Sequence, residues 1–415
     1  MWDCANRAAG FGPARSAALL VRACASSLAG TIGLASLSLL LLGGCATAPL
    51  AAARTHFYRG DFERADQSLA QVPAGQTDRI LVLMERGRIR QSCRRYEAST
   101  RDWQEAVDLG EKLDYYSLSQ GTASLAINDT VMNFLGAPYE RTLVHAFAAK
   151  SYLAMSMWDD AAVEARNIIR RLENLYGFPD DAYSHYLAGF CLEMSGDPEG
   201  AAFQYRAVAK MANGFTIGES DGHIALTNNL SAAIQPGPNA QKPRESRNTG
   251  EVVCFVAMGR TPTLQGHASH SPGFGLGAAP YAELYCNNQY LGRTYAFSDT
   301  GRLLADTERR LAALRLAKEA TRIAAKEAVA AAVSHENELL GEVLRLILFA
   351  MEVPDTRQWE TLPEWLEIGR MPCPEDMKSY TVVFKDGAGC TLKEKVMTAP
   401  IARRGKTFVS FCRDL

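Results

Sequence analysis

The sequence contains one pattern typical of a catalytic serine. The stretch Gly218-Glu-Ser220-Asp-Gly222 matches the G-x-S-x-G motif of serine hydrolases, and His223 follows it directly. In those enzymes a buried strand precedes the serine and a helix follows it, because the sharp turn between them exposes the hydroxyl. Here a helix end at 211–214 precedes the motif and a polar loop follows it. We therefore expect a glycine-serine turn, and a hydrolase that uses Ser220 is only a remote alternative.

Two other groups of side chains could do chemistry but lack what they would need. His267 and His270 lie in a glycine-rich loop without a nearby carboxylate to complete a metal site. The acid-rich stretch 360–367, with Trp359 and Trp365, could suggest sugar chemistry, but its proline and its alternation fit a strand entry better. No zinc-protease, phosphate-loop or dinucleotide-binding motif is present. We predict a protein that is not an enzyme, with no catalytic residue, no metal and no cofactor.

Length and charge limit the remaining classes of function. A chain of 415 residues with 47% hydrophobic residues is long enough for two or three domains with buried cores. The 44 basic and 46 acidic residues nearly cancel, so no overall field would attract the chain to nucleic acid. We expect no nucleic-acid partner.

The N-terminus has the order of an export signal. Arg7, Arg15 and Arg22 precede an apolar run at 34–42, which ends at Gly43-Gly44-Cys45. The apolar run is short for a transmembrane helix, which needs roughly 20 residues. Leu42-Gly43-Gly44-Cys45 resembles the lipobox of bacterial lipoproteins, whose cysteine is acylated after cleavage. We therefore predict a signal peptide at 1–44 and lipidation of Cys45.

The resemblance to lipoproteins also implies a location. It implies several acyl chains, such as palmitate, on Cys45, which together hold a protein firmly on a membrane. No acidic residue follows Cys45, and in enterobacterial lipoproteins this argues against retention at the inner membrane. We expect the chain on the periplasmic face of the outer membrane, joined to its anchor by a small-residue tether at 45–54.

Seven cysteines remain beyond the signal and the anchor. In an oxidising periplasm some of them could pair, but their odd number leaves at least one thiol free. Small buried residues are one interpretation, and one disulfide within the C-terminal part is the other.

From 55 to 212 the sequence predicts tetratricopeptide-like helical repeats. An aromatic residue or proline opens a helix at Phe62, Tyr96, Trp158 and Pro198, and a small residue follows three positions later. The step from Phe62 to Tyr96 is 34 residues, the period of this repeat, and an insertion near 110–139 lengthens the next step.

Small and bulky residues recur around those positions as the repeat requires. Gly87, Ala149 and Gly189 lie nine residues before Tyr96, Trp158 and Pro198, and Trp103, Ala165 and Tyr205 lie seven residues after them. A small residue on the first helix of a pair admits a bulky one from the second. The spacing therefore predicts paired knobs and holes, against the alternative of a generic helical bundle.

Beyond the repeats, glycine, asparagine and proline at 213–249 predict a linker. We expect a small β-sandwich at 250–300 and 354–415, so the chain as a whole is α+β with several domains. A hairpin is predicted at 281–295, with its turn at Asn287-Asn288. Further strands are expected at 251–257, 364–370, 379–385, 391–397 and 407–412.

A helical hairpin at 301–353 is predicted to interrupt the β-rich region. Its first half is rich in alanine with a charged stripe, and its second half, 339–351, is far more apolar. We expect the hairpin to pack on the sandwich or on the repeats. Insertion at the bilayer surface and self-assembly through this helix are the alternatives.

Several stretches of the sequence resemble a group of uncharacterised bacterial lipoproteins. These stretches are 79–87, 138–145, 162–166, 250–262 and 355–363. That resemblance implies tetratricopeptide-like repeats joined to a C-terminal β-rich region with a helical insert, and it implies no activity. The chain departs from the group at Arg94-Arg95, which replaces the usual Gly-Asp, and in the glycine-rich stretch after Pro262.

Stacked helix pairs form a concave groove that commonly receives peptides or partner helices. We predict an envelope scaffold whose repeats bind another envelope protein, with a self-assembling structural protein as the alternative. The expected partner contacts are Tyr58, His145, Tyr152, Arg166, His185 and Tyr186.

Overall fold

The computed structural model describes residues 47–70, 72, 78–119, 133–226, 249–263, 279–312, 331, 334, 356–397 and 401–415. Cys45 and the signal peptide lie outside these ranges, as do His267, His270 and the apolar stretch 339–351. The helical insertion is described as a helix from 300 to 312, and most of its predicted hairpin lies outside the described residues.

The described residues from 47 to 211 form four antiparallel helix pairs. Their helices are α1 (Thr47–Tyr58), α2 (Phe62–Ala70), α3 (Arg79–Ser92), α4 (Tyr96–Ser119), α5 (Pro138–Ala154), α6 (Trp158–Glu173), α7 (Ala182–Ser195) and α8 (Pro198–Met211). The expected tether at 45–54 is wrong from Thr47 onward, because α1 buries Leu50 and Ala53. The repeats therefore begin eight residues earlier than 55.

Each pair turns at one residue with a left-handed backbone. The φ angles are 79° at Gly60, 60° at Arg94, 58° at Ser156 and 97° at Gly196, in each case two residues before the second helix. Glycine adopts this conformation freely, whereas other residues do so at a cost of about 1 kcal/mol or more. Arg94 thus adopts the turn conformation that glycine has at Gly60 and Gly196.

The predicted knobs and holes are present. A Cβ added to Gly87 would lie 2.9 Å from the ring of Trp103, and one added to Gly189 would lie 2.9 Å from the ring of Tyr205. Both rings are fully buried. The bulky residue of the second helix therefore rests directly on the glycine of the first, as the spacing predicts for tetratricopeptide-like repeats.

The β-rich region contains two larger sheets. The strands are β1 (Phe215–Ile217), β2 (Ile224–Leu226), β3 (Thr249–Met258), β4 (Tyr281–Cys286), β5 (Gln289–Arg293), β6 (Tyr295–Asp299), β7 (Trp365–Pro374), β8 (Tyr380–Lys385), β9 (Thr391–Met397), β10 (Ala402–Arg404) and β11 (Thr407–Arg413). One sheet has the order β10-β11-β3-β7-β6, with β11 parallel to β3, and the other has the order β5-β4-β8-β9.

Most strands match the sequence prediction, with three corrections. Asn287 and Asn288 have φ of 50° and 61°, as a two-residue hairpin turn requires, so the predicted turn is confirmed. The second arm divides at Thr294, because β5 and β6 belong to different sheets. The expected linker contains the hairpin β1–β2, and β10 was not predicted, since three-residue strands carry too little periodicity.

Helices and sheets form three layers. The five-stranded sheet turns Val253 and Phe255 toward the helices, and it turns Val252 and Cys254 toward the four-stranded sheet. Because β3 is covered on both faces, it reads as an almost continuous apolar run. The chain is therefore an α+β protein in which one sheet lies between the repeats and a second sheet.

Cysteines and membrane segments can be stated for the described part of the chain. The seven cysteines from Cys93 to Cys412 are all free thiols, and the Sγ atoms of Cys254 and Cys412 lie 3.8 Å apart. The expected alternative of a C-terminal disulfide is therefore not what the structure contains. Among the described helices, none is long and apolar enough to cross a membrane.

Candidate functional site

The concave face of the repeats is covered by the protein's own five-stranded sheet. Phe190 on α7 packs on Phe255 of β3 with ring centroids 5.6 Å apart. Tyr186, also on α7, packs on Phe297 of β6 at 5.1 Å. The surface that repeat proteins commonly offer to a partner is an internal interface at these positions.

A short segment leading into β7, residues 356–363, fills the groove of the first three repeats. We call it the groove segment. Its Trp359 is fully buried, with ring centroids 5.4 Å from Trp103 on α4 and 5.5 Å from Phe147 on α5. The acid-rich stretch 360–367 leads into β7, so its predicted role as a strand entry is confirmed. The contact of Trp359 with the repeats was not predicted from the sequence.

Two buried carboxylates bind the backbone of the groove segment. Glu140 on α5 accepts a hydrogen bond from the Trp359 N–H at 2.9 Å. Glu85 on α3 accepts one from the Glu360 N–H at 3.0 Å and one from the Thr361 N–H at 3.2 Å. Hydrogen bonds to a charged carboxylate, such as that of Glu85 beside Arg54, are stronger than neutral ones. The helices therefore hold the extended chain by its main-chain donors.

Side chains of helix α1 also bind the groove segment. Arg54 donates to Glu85 and to Glu360 at 2.7 and 2.6 Å, and it donates to the Gln358 carbonyl at 2.8 Å. The Tyr58 hydroxyl donates to the Glu360 carbonyl at 2.5 Å. Both main-chain donors and main-chain acceptors of the groove segment are thus bound by side chains of the repeats.

Burial and charge shift the titration of these groups. Burial raises the pKa of Glu140 to about 7, although the N–H groups of Ala137 and Trp359 favour the charged form. Burial alone would lower the pKa of Arg54, but the nearby carboxylates Glu85 and Glu360 raise it overall. Arg54 is therefore held as a cation between two carboxylates.

Four of the five stretches that carry the resemblance meet at this place. Glu85 belongs to 79–87, Glu140 to 138–145 and Trp359 to 355–363. From the stretch 250–262, the Pro262 carbonyl accepts a hydrogen bond of 2.7 Å from the Gln358 side chain. Glu85, which directly follows the apolar run 80–84, was the signal in the sequence that a buried polar contact would be needed there.

Two of the predicted partner contacts are internal. Tyr58 contacts the groove segment, and the Tyr186 hydroxyl donates to the Gly222 carbonyl at 2.8 Å in a fully buried position. Tyr186 is closed to a partner in the described fold, and Tyr58, which is half-buried, has its hydroxyl bonded to Glu360 and its ring covered by Arg260. These two predictions are wrong because the β-rich region occupies the groove that they line.

His185 and Arg166 are placed differently. His185 bonds Gln204 at 2.7 Å and Asp180 at 3.1 Å, and although burial opposes it, these hydrogen bonds raise its pKa. It joins the α6–α7 connection to α8. Arg166 is exposed on α6. The structure does not bring these two residues together with the other predicted contacts.

His145 lies at an open cleft of about 460 Å³ between α4 and α6, and Tyr152 contacts a residue that lines it. His145 lines its floor and bonds Glu164 through Nδ1 at 2.7 Å. The Tyr152 hydroxyl accepts a hydrogen bond of 2.5 Å from Gln104, which lines the cleft. We call this opening the α4–α6 cleft.

The two walls of the α4–α6 cleft carry opposite charge. Asp108 and Glu111 lie on the α4 side, whereas Arg170 and Arg171 lie on the α6 side, with Glu164 bonded to His145 below them. The Arg171 guanidinium and the Glu111 carboxylate form an ion pair of 3.8 Å between the two walls. Between them the residues of the cleft are mostly uncharged. They are Trp103, Gln104, Val107, Ala148, Asn167 and Asn174. Paired charges and amides around a small apolar base suit hydrogen bonding with a polar peptide segment rather than an apolar ligand.

Two other predicted features can be checked in the described residues. Ser220 is exposed in the hairpin turn between β1 and β2, where the Asp221 carboxylate accepts from the His223 N–H at 3.0 Å. This is not the strand-turn-helix arrangement that a nucleophilic serine needs. Across the described ranges, no group of three or more His, Cys, Asp or Glu side chains could hold a metal ion.

Comparison with known proteins finds similarity in solved structures of repeat proteins. MamA from Desulfovibrio magneticus RS-1 is 11% identical, with a TM-score of 0.29 over 40% of this chain and 75% of that one. The TPR-like repeats of a putative kinesin light chain from Podosopora anserina are 12% identical, with a TM-score of 0.29 over 40% and 74%. The Rap conjugation gene regulator of plasmid pLS20, solved with the Phr* peptide, is 17% identical, with a TM-score of 0.27 over 39% and 41%.

No protein-family model and no curated protein matches the chain. The class of the protein follows from its own geometry. Four helix pairs with left-handed turns and glycine-to-aromatic contacts make it a protein with tetratricopeptide-like repeats.

Proposed function

We propose that this chain is a lipid-anchored scaffold of the bacterial cell envelope, which binds another envelope protein through the α4–α6 cleft. The observation that carries the proposal is the occupied groove. The groove segment and the five-stranded sheet cover the concave face, while the cleft stays open on the other side of α5.

The anchor in this proposal is Cys45. Its support is the order of basic, apolar and small residues that ends at Gly43-Gly44-Cys45, together with the absence of an acidic residue directly after it. On this account the protein lies on the periplasmic face of the outer membrane. The test is a Cys45→Ser variant, which should move the protein from the membrane fraction to the soluble periplasmic fraction. Retention of the variant in the membrane fraction would contradict the anchor.

The partner in this proposal is a polar peptide segment with both signs of charge. Asp108 and Arg170 are exposed on opposite walls of the α4–α6 cleft, so such a segment can pair with each wall. Exposed ion pairs are individually weak, at about 0–1 kcal/mol, and their arrangement therefore contributes orientation more than affinity. His145, Glu164 and Asn167 would add hydrogen bonds at the floor.

Crosslinking in intact cells followed by affinity capture tests the cleft. Arg170→Glu replaces a positive charge on the α6 wall by a negative one and should reduce the amount of captured partner several-fold. Arg206→Glu is the matched control, because Arg206 is an exposed arginine on α8 away from the cleft. Equal capture by both variants and the native protein would contradict the cleft as the docking site, whatever the identity of the partner.

A further inference from the structure

Three cations are buried where the repeats meet the five-stranded sheet. They are Arg88 on α3, Lys150 on α5 and Arg413 on β11, with 5%, 3% and 7% of their surface exposed. Within the described part of the chain, none of the three forms an ion pair with a carboxylate. Burying a cation without a counter-charge is costly, so this concentration of positive charge requires an explanation.

Aromatic rings bring two of these cations to the same place. Arg88 Cζ lies 4.8 Å and Lys150 Nζ 5.2 Å from the centroid of the Phe147 ring. The Lys150 ammonium also lies 5.9 Å from the Tyr183 ring and 5.0 Å from the Phe411 ring. Cation–π contacts offset only part of the free energy that burial of an ion costs.

Several polar atoms of this cluster have no partner. Arg88 Nε, Arg413 Nε and the Tyr183 hydroxyl are buried and make no hydrogen bond in the described structure. Other atoms of the two arginines are used: Arg88 Nη1 donates to Gln91 at 3.0 Å, and Arg413 donates to the carbonyls of Thr361 and Gly259. These hydrogen bonds therefore fix the orientation of the two guanidinium groups, while the Nε donors of both groups remain without an acceptor.

Charge in the cluster is offset by one carboxylate at most. Asp414 follows Arg413 and accepts the Gly259 N–H through Oδ2 at 2.8 Å, while its Oδ1 has no partner. Burial lowers the pKa of Arg88 to about 9 and that of Lys150 well below its usual value, and the nearby Arg413 adds to both shifts. A negative charge among these groups would offset the excess of buried positive charge.

We propose that the interface binds one small inorganic anion of chloride size, held by Arg88 and Lys150 beside the Tyr183 hydroxyl. Three rings crowd the Lys150 ammonium within 6 Å, so a monatomic anion would meet less steric hindrance there than phosphate or a carboxylate ligand. Residues from α3, α5, α7 and β11 would all contact or surround this ion. It therefore stabilises the closed contact between the repeats and the β-rich region.

Crystals of the native protein soaked in bromide test the site directly. An anomalous difference peak beside Arg88 Nε and Lys150 Nζ is expected. Electron density no higher than that of a water molecule, with no anomalous signal at this position, would overturn the proposal.

Thermal unfolding at constant ionic strength is the second test. The melting temperature should rise by roughly 2 °C per tenfold increase in chloride when gluconate is replaced. Lys150→Met should abolish this dependence, whereas Lys210→Met on the exposed face of α8 should retain it. An identical chloride response in Lys150→Met and the native protein would refute the site. If Lys150→Met fails to fold, the bromide experiment on the native chain still decides.

Discussion

The backbone N–H of Trp359 donates a hydrogen bond of 2.9 Å to Glu140, which lies 219 residues earlier in the chain. This bond links the β-rich region to helix α5 in the middle of the repeats. Together with the contacts of Glu85 and Arg54, it turns a groove that would be open in an isolated solenoid into part of a single core.

Replacing Trp359 by alanine should destabilise the whole protein strongly. Its ring is fully buried between Trp103 and Phe147, and removing a core tryptophan costs about 3–5 kcal/mol. The free energy of unfolding from denaturant titration measures the effect. Trp158→Ala at a half-buried helix start is the control and should cost much less. Equal losses in the two variants would mean that the groove segment is not part of the core.

Glu140→Gln should flatten the dependence of stability on pH. The folded pKa of Glu140 is about 7, above the usual 4.5, so its protonated form is favoured in the folded state. Its contribution is fully present below pH 4.5 and is lost as the pH rises through 7. The shift corresponds to roughly 3 kcal/mol as an upper value.

The measurement for Glu140→Gln is the unfolding free energy between pH 4.5 and 7.5. The native protein should lose stability across this interval, and the variant should lose less. Glu97→Gln on the exposed start of α4 is the control and should follow the native protein. A variant with the native pH slope would contradict the assignment of the slope to Glu140.

Gly87→Ala should destabilise the second repeat. The new Cβ would lie 2.9 Å from the Trp103 ring, and such overpacking typically costs about 1–3 kcal/mol. Gly110→Ala in the same helix pair is the opposite case, because nothing lies within 4 Å of its Cβ position. There the higher helix propensity of alanine should stabilise by up to about 1 kcal/mol. Melting curves of the two variants should shift in opposite directions.

Ser156→Gly should stabilise the turn between α5 and α6. Ser156 has a φ of 58°, which costs a non-glycine residue about 1–2 kcal/mol, part of which is offset by the greater freedom of glycine in the unfolded chain. We expect a net gain below about 1 kcal/mol. Ser68→Gly, within helix α2, should instead lose about that amount. A loss at both positions would show that the turn is not strained.

The repeats were predictable because their signals are local. Gly87 and Trp103 lie 16 residues apart on neighbouring helices, and the repeat spacing alone pairs them. The turn at Asn287-Asn288 was predictable for the same reason, since asparagine tolerates positive φ. Helix α1 was missed because Pro49 and the small residues around it resemble a tether, although proline is well tolerated in the first turn of a helix.

The occupant of the groove was not predictable from these signals. Tyr58 and Tyr186 have the residue types of partner contacts, and only the tertiary structure shows that they face the chain's own β-rich region. The parallel pairing of β11 with β3 is equally long-range and leaves no periodic signature. His145 lies on α5 and stays a predicted contact, and the cleft that it lines forms only when α4 and α6 flank α5.

Site-specific photo-crosslinking in living cells is the most direct test of the account. A photoreactive residue at Asn167 would lie in the α4–α6 cleft, and one at Arg206 would lie on the exposed face of α8. We expect a discrete crosslinked partner from position 167 and none from position 206. A partner crosslinked from 206 and absent from 167 would contradict the claim that the cleft, rather than another surface, receives the envelope protein.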